Sequence, residues 1–92
     1  MATNFLERGA LVKSLAGHDA GGTFVIIEVV DGNYVRVADG KTRKIAKSKL
    51  KKIKHVKPIN AKIDLKLFEN RGGLTDGDLQ REIKEIIKKI GG

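Results

Sequence analysis

The sequence predicts a mainly β domain: five short antiparallel strands finished by one C-terminal α-helix. Three observations predict it. Runs of β-branched residues follow one another between residues 9 and 57, divided by Gly-rich or Asp-Gly turns. A sustained helical repeat begins after residue 74. A length of 92 residues, 40% of them hydrophobic, is enough for one core and one domain.

Residues 9–16, GALVKSLA, open the sheet, with Leu11 and Leu15 alternating against Val12 and Ser14 so that one face is the more apolar. Gly17-His18-Asp19-Ala20-Gly21-Gly22 comes next, and three glycines in six residues mark a loop. Residues 23–30, TFVIIEVV, form the strongest strand. Only Glu28 interrupts its apolar run, so both faces are expected to be covered over most of its length. Asp31-Gly32 predicts a tight type I′ hairpin turn. Residues 33–38, NYVRVA, alternate Val35 and Val37 against Tyr34 and Arg36. Asp39-Gly40 turns the chain again, and residues 41–45, KTRKI, are expected to continue the meander as a short strand.

Beyond residue 45 the pattern is weaker. Leu50, Ile53 and Val56 recur every three residues, which fits a helical turn, but Pro58 opposes a long helix. A short turn and a fifth strand near 53–57 are expected. Residues 59–70, INAKIDLKLFEN, read as an extended arm lying on the barrel, and Gly72-Gly73 ends it. Leu79, Ile83, Ile86, Ile87 and Ile90 then form one helical stripe. Thr75 is its N-cap with Asp78 completing a capping box, and Leu74 with Leu79 forms a hydrophobic staple. Asp76 and Asp78 complement the positive end of the helix dipole, Lys88 and Lys89 the negative end, and Gly91 supplies the stop. Residues 8–58 are expected to make the barrel and 59–92 the arm and helix packed on it, as one structural unit.

The charge is concentrated. The net charge is +8, yet residues 1–40 hold three basic and five acidic side chains, and residues 58–92 hold seven and six. Residues 41–57, KTRKIAKSKLKKIKHVK, hold nine basic and no acidic ones. A uniform surplus would suggest solubility, whereas a concentrated one suggests a polyanionic partner. All nine but Arg43 are lysines, which bind as flexible point charges. Arg36 and Arg43 are the better candidates for bidentate phosphate contact. Aromatic platforms for stacking bases are nearly missing. Tyr34 is the one exposed-looking candidate, and its ring resting on a neighbouring strand is an equal alternative. Recognition of structured RNA by shape and backbone is therefore favoured over a sequence code.

Other classes are poorly supplied. The chain has no cysteine, so disulfides and thiolate zinc sites are excluded, and a cytosolic setting is favoured. His18 and His55 belong to no metal-binding spacing, and the glycine loop lacks the GK[ST] ending of a P-loop. No enzyme, metal or cofactor is expected. No apolar run approaches a membrane span, and the N-terminus has no signal-peptide pattern.

The stretch Gly9 to Ile26 resembles a KOW motif: strand, glycine loop, glycine, strand. The rest of the chain resembles the large-subunit ribosomal protein family L-fourteen-e and its bacterial KOW-domain relatives. The similar parts are the aliphatic strand ending at Asp31, Asn33-Tyr34-Val35, Val37-Ala38-Asp39-Gly40, the basic run and Lys54-His55-Val56. The tail Ala61-Lys62-Ile63-Asp64-Leu65, with Leu74-Thr75-Asp76 before the helix, is similar too, so the resemblance covers about residues 8–90. It implies a small SH3-like five-stranded barrel with a C-terminal helix, acting on ribosomal or other structured RNA. It also makes the loop Gly17–Gly22 an RNA contact, although Ala20 stands where many KOW motifs carry Lys or Arg.

The expected RNA-binding residues are Lys13, Gly17, His18 and Gly21 at the loop, Arg36, and Lys41, Arg43, Lys44, Lys47, Lys49, Lys51, Lys52, Lys54 and His55 in the basic run. The expected partner is RNA, ribosomal RNA first, with ribosomal proteins beside it. The protein is expected to be ribosome-associated in the cytoplasm and a monomer outside that complex. The alternative is a KOW protein–protein interaction module of the transcription or translation machinery. Binding to an anionic membrane ranks last, because the basic run does not form one long amphipathic helix.

Overall fold

The structure, a computed structural model, describes residues 6–18, 20–70 and 72–91, the side chains of residues 60, 90 and 91 excepted. Asp19 of the glycine loop and the Ile90 side chain of the helical stripe thus lie outside the described residues. The elements run β1 (Ala10–Ser14), β2 (Thr23–Val29), β3 (Tyr34–Ala38), a 3₁₀ turn (Ile45–Lys47), β4 (Lys49–Lys52), a second 3₁₀ turn (Ile53–His55), β5 (Val56–Lys62), the short α1 (Lys66–Glu69) and α2 (Asp76–Gly91). The strands form one antiparallel sheet in the order β4-β3-β2-β1-β5. Register shifts between Ile26 and Glu28 and between Ala10 and Val12 mark bulges, which bend and twist strands. The sheet curls until the turn Ile53–His55 joins its two edge strands. Leu15 N donates to His55 O at 2.9 Å and Ile53 N donates to Asn33 O at 2.8 Å. This is the small SH3-like barrel that the sequence resemblance implies.

Both faces of the sheet are covered over residues 24–27, which explains the apolar start of β2, whereas Glu28, Val29 and Val30 are exposed. Val12, Phe24, Ile26, Val35, Val37 and Val56 pack inside the curl. Leu11, Val25 and Ala38 point the other way, onto Ile63, Phe68, Leu79 and Ile83. The second group is the seat of α2. Its Leu79 is fully buried and Ile83 nearly so, each contributing roughly 2 kcal/mol by burial alone. Leu15, expected on the apolar face of β1, instead leaves the strand and is exposed.

The helix begins as its sequence foretells. Asp78 N donates to Thr75 Oγ1 and Thr75 N to Asp78 Oδ2, both at 3.1 Å, a capping box with Asp in the third position. Leu74 packs on the same core cluster as Leu79.

Three local expectations are corrected. Gly32 does not take the positive φ that a type I′ turn requires. The Asp31 carboxylate instead accepts from Asn33 N at 2.7 Å and Tyr34 N at 2.9 Å, fixing a wider turn. Residues 41–45 form no strand. Asp39 accepts from Lys41 N and Arg43 N, Gly40 takes φ +81°, and Ile45 N donates to Asp76 Oδ1 at 2.7 Å. The chain is thereby drawn onto the start of α2, and the fourth strand is delayed to Lys49–Lys52. Of the expected arm 59–70, the first residues belong to β5, which pairs with β1 as far as Ala10↔Lys62. Phe68 then closes the core from α1.

Candidate nucleic-acid interface

The glycine loop is a closed extension of the β1–β2 hairpin. Ser14 N donates to Gly22 O and Gly21 N to Ser14 O, at 2.9 and 2.8 Å, and Ala20 N donates to Gly17 O at 3.2 Å. Gly17 and Gly21 hold φ of +81° and +87°, which residues with a Cβ adopt reluctantly. The turn therefore uses the Gly21 and Ala20 amides, while those of Gly17 and His18 meet no acceptor among the described residues. Gly17, His18 and Gly21 are exposed at the tip.

The basic run reaches this loop through one side chain. Lys51, on β4, stands opposite Val35 and so faces the inside of the curl. It is only 8% exposed, and its Nζ donates to Ala16 O at 3.0 Å. Lys51 is thus a tether between β4 and the loop, unlike the exposed Lys49, Lys52 and Lys54 beside it. His55 is half-buried in the 3₁₀ turn, its carbonyl holding Leu15. Loop, edge strand and 3₁₀ turn consequently form one continuous surface.

The remaining candidates lie elsewhere on the run. Lys41, Lys44 and Lys47 are exposed on the loop that meets α2. The two arginines favoured for bidentate contact are both half-buried, and the Arg36 guanidinium is engaged with the protein. Arg36 Nη1 donates to Ser48 O at 3.0 Å and its Nε lies 4.0 Å from Glu28 Oε1. Arg43 belongs to the Asp39 turn, its carbonyl accepting from Asp39 N and Gly40 N. Lys13 is exposed on β1 directly opposite Lys57 of β5, also exposed. Like charges facing across a ladder repel, and an anion between them would relieve that.

Sequence reasoning missed a basic row on α2. Arg81, Lys84 and Lys88 line an open groove with Lys41 and Thr23. Their spacing of three and four residues places them on one helical face, a signal masked by the acidic residues interspersed in the same helix. Arg81 shares its charge with Asp78, 2.7 Å away.

Among the described residues no group of three or more His, Cys, Asp or Glu is placed to hold a metal ion. Among them, too, no helix is long and apolar enough to cross a membrane.

No protein-family model matches the chain. It is similar, however, to archaeal proteins named large ribosomal subunit protein eL14. The protein of Staphylothermus marinus is 28% identical over 92 aligned positions, covering 90% of this chain and 91% of the relative. That of Saccharolobus islandicus is 29% identical, covering 87% and 78%. That of Pyrobaculum aerophilum is 29% identical, covering 86% and 72%. The likeness read from the motifs is thus matched by named relatives along nearly the whole chain.

Proposed function

From this likeness to eL14 we propose that the protein is a ribosomal protein, a non-enzymatic binder of structured ribosomal RNA in the cytoplasm. Its exposed lysines contact phosphates, with Lys49, Lys52 and Lys54 along the sheet edge, Lys13 and Lys57 beside the glycine loop, and the loop itself approaching the backbone. The observation that carries the placing of the site is the Lys51–Ala16 hydrogen bond, because it ties the glycine loop to β4, the strand that bears Lys49 and Lys52. Each ammonium that neutralises a phosphate releases condensed counterions, and that entropy drives association. Lysines suit this role because they follow a backbone of irregular shape without demanding one geometry. With its guanidinium engaged by Ser48 and Glu28, Arg36 has little part as a bidentate phosphate clamp.

The test is a charge reversal. The triple variant Lys49→Glu, Lys52→Glu, Lys54→Glu leaves the buried Lys51 in place. Fluorescence anisotropy with a labelled ribosomal RNA fragment should show affinity lowered by at least a hundredfold, with the circular dichroism spectrum unchanged. Unchanged affinity would remove β4 from the site. A second reading, a protein-interaction module, is favoured by the exposure of Val29, Val30 and Leu50. Capture of partners from lysate that persists after nuclease treatment would support it.

A further inference from the structure

We infer that the cleft between the β2–β3 turn and the end of β4 receives a single unpaired RNA base, stacked on Tyr34. The inference deepens the proposed RNA-binding role, on which it rests. The cleft encloses about 400 Å³, within the range of small-molecule sites. Gly32, Asn33, Tyr34, Lys52, Ile53 and Lys54 line it.

Its walls are held by the backbone. The Asp31 carboxylate fixes Asn33 N and Tyr34 N, and Asn33 O accepts from Ile53 N at 2.8 Å, tying turn to turn. The cleft is thus preformed, and little ordering is needed for a ligand to enter. Tyr34 projects outward from β3, half-buried, opposite Lys52 in the ladder. Its ring with the partly buried Ile53 supplies an apolar slot. The Asn33 side-chain amide, exposed and bonded to no other described residue, offers both a donor and an acceptor to a base edge. Lys52 and Lys54, both exposed, line the same cleft and offer ammonium groups to the phosphates flanking that base.

A π-face, an amide and two cations in one small cleft match a nucleotide. A lone phosphate would leave the ring unused, and an acidic peptide would leave the slot without a flat group to stack. Bases inside a duplex remain stacked on one another, so the ligand is a bulged, looped or single-stranded nucleotide. Stacking on one aromatic ring is commonly worth about five- to a hundredfold in affinity.

The chain has one tyrosine and no tryptophan, so its intrinsic emission reports Tyr34 alone. Titration with single-stranded oligoadenylate should quench that emission, and a blunt RNA duplex should not. In anisotropy with labelled RNA, Tyr34→Leu should weaken oligoadenylate binding about five- to a hundredfold. It should leave the salt slope and the duplex affinity unchanged. Tyr34→Phe, which keeps the ring, should bind within about twofold of wild type, since stacking does not use the hydroxyl. Oligoadenylate binding without a change in wild-type emission would overturn the inference while leaving the phosphate reading intact. Failure to bind either RNA would overturn both.

Discussion

Lys51 separates two kinds of lysine in one basic run. Alternation of polarity along β4 would place Leu50 inside and its neighbour Lys51 outside. The ladder does the reverse: Leu50 stands opposite the outward Arg36 and is 45% exposed, while Lys51 stands opposite buried Val35. The cause lies in the pairing partner and in the carbonyl of Ala16, 35 residues away, and neither is visible in the local pattern. Lys51→Met keeps the aliphatic stem and removes the donor. It should cost about 1–3 kcal/mol of stability, because Ala16 O loses a charged donor in a partly buried site. Urea unfolding reads the loss directly. Binding of RNA by the folded Met variant should fall less than in the charge-reversal triple. Gly40 is the second residue on which much depends. At φ +81° a side chain is strained, and a Cβ there would collide with the backbone carbonyl of Asp76. Gly40→Ala should therefore lower stability by about 2–4 kcal/mol, seen as a lower urea midpoint at an unchanged slope.

Helix α2 was legible as an element because its signals are local. The apolar residues recur every three or four positions, and Thr75 with Asp78 closes the capping box within a single turn. Thr75→Ala should cost about 1 kcal/mol and lower the thermal midpoint accordingly. Strands β1 to β3 were legible for the same reason, since β-branched runs and glycine turns punctuate them. The fourth strand was not. What decides its start is the engagement of residues 40–45 by the helix: Ile45 N donates to Asp76, and Gln80 Nε2 donates to Gly40 O at 2.8 Å, contacts spanning 31 and 40 residues. A pattern read within a short window sees the β-type run KTRKI and extends the meander. The same limit hid the join between the glycine loop and the basic strand. Sequence identified both pieces of the candidate interface, and tertiary hydrogen bonds brought them together.

Across the whole molecule, the surplus of charge is carried by a scaffold with two packed faces. One face of the sheet closes on itself and the other is covered over Leu11, Val25 and Ala38 by α1 and α2, which leaves the outward side of β3 and β4, the strand edge, the hairpin loops and the outer surface of the helix open to a partner. The basic run wraps this periphery. Its first part meets α2, its middle lies along β4, and Lys57 closes it against Lys13. Such a distribution suits a partner that surrounds the domain, as folded RNA can, better than a flat one. On the proposed reading, phosphate neutralisation by these lysines supplies most of the affinity. The most direct test is to measure the dissociation constant for a ribosomal RNA fragment across a series of monovalent salt concentrations. Engagement of about six phosphates should give a log–log slope of association against salt of roughly −4 to −5. An affinity that barely changes with salt would contradict that reading.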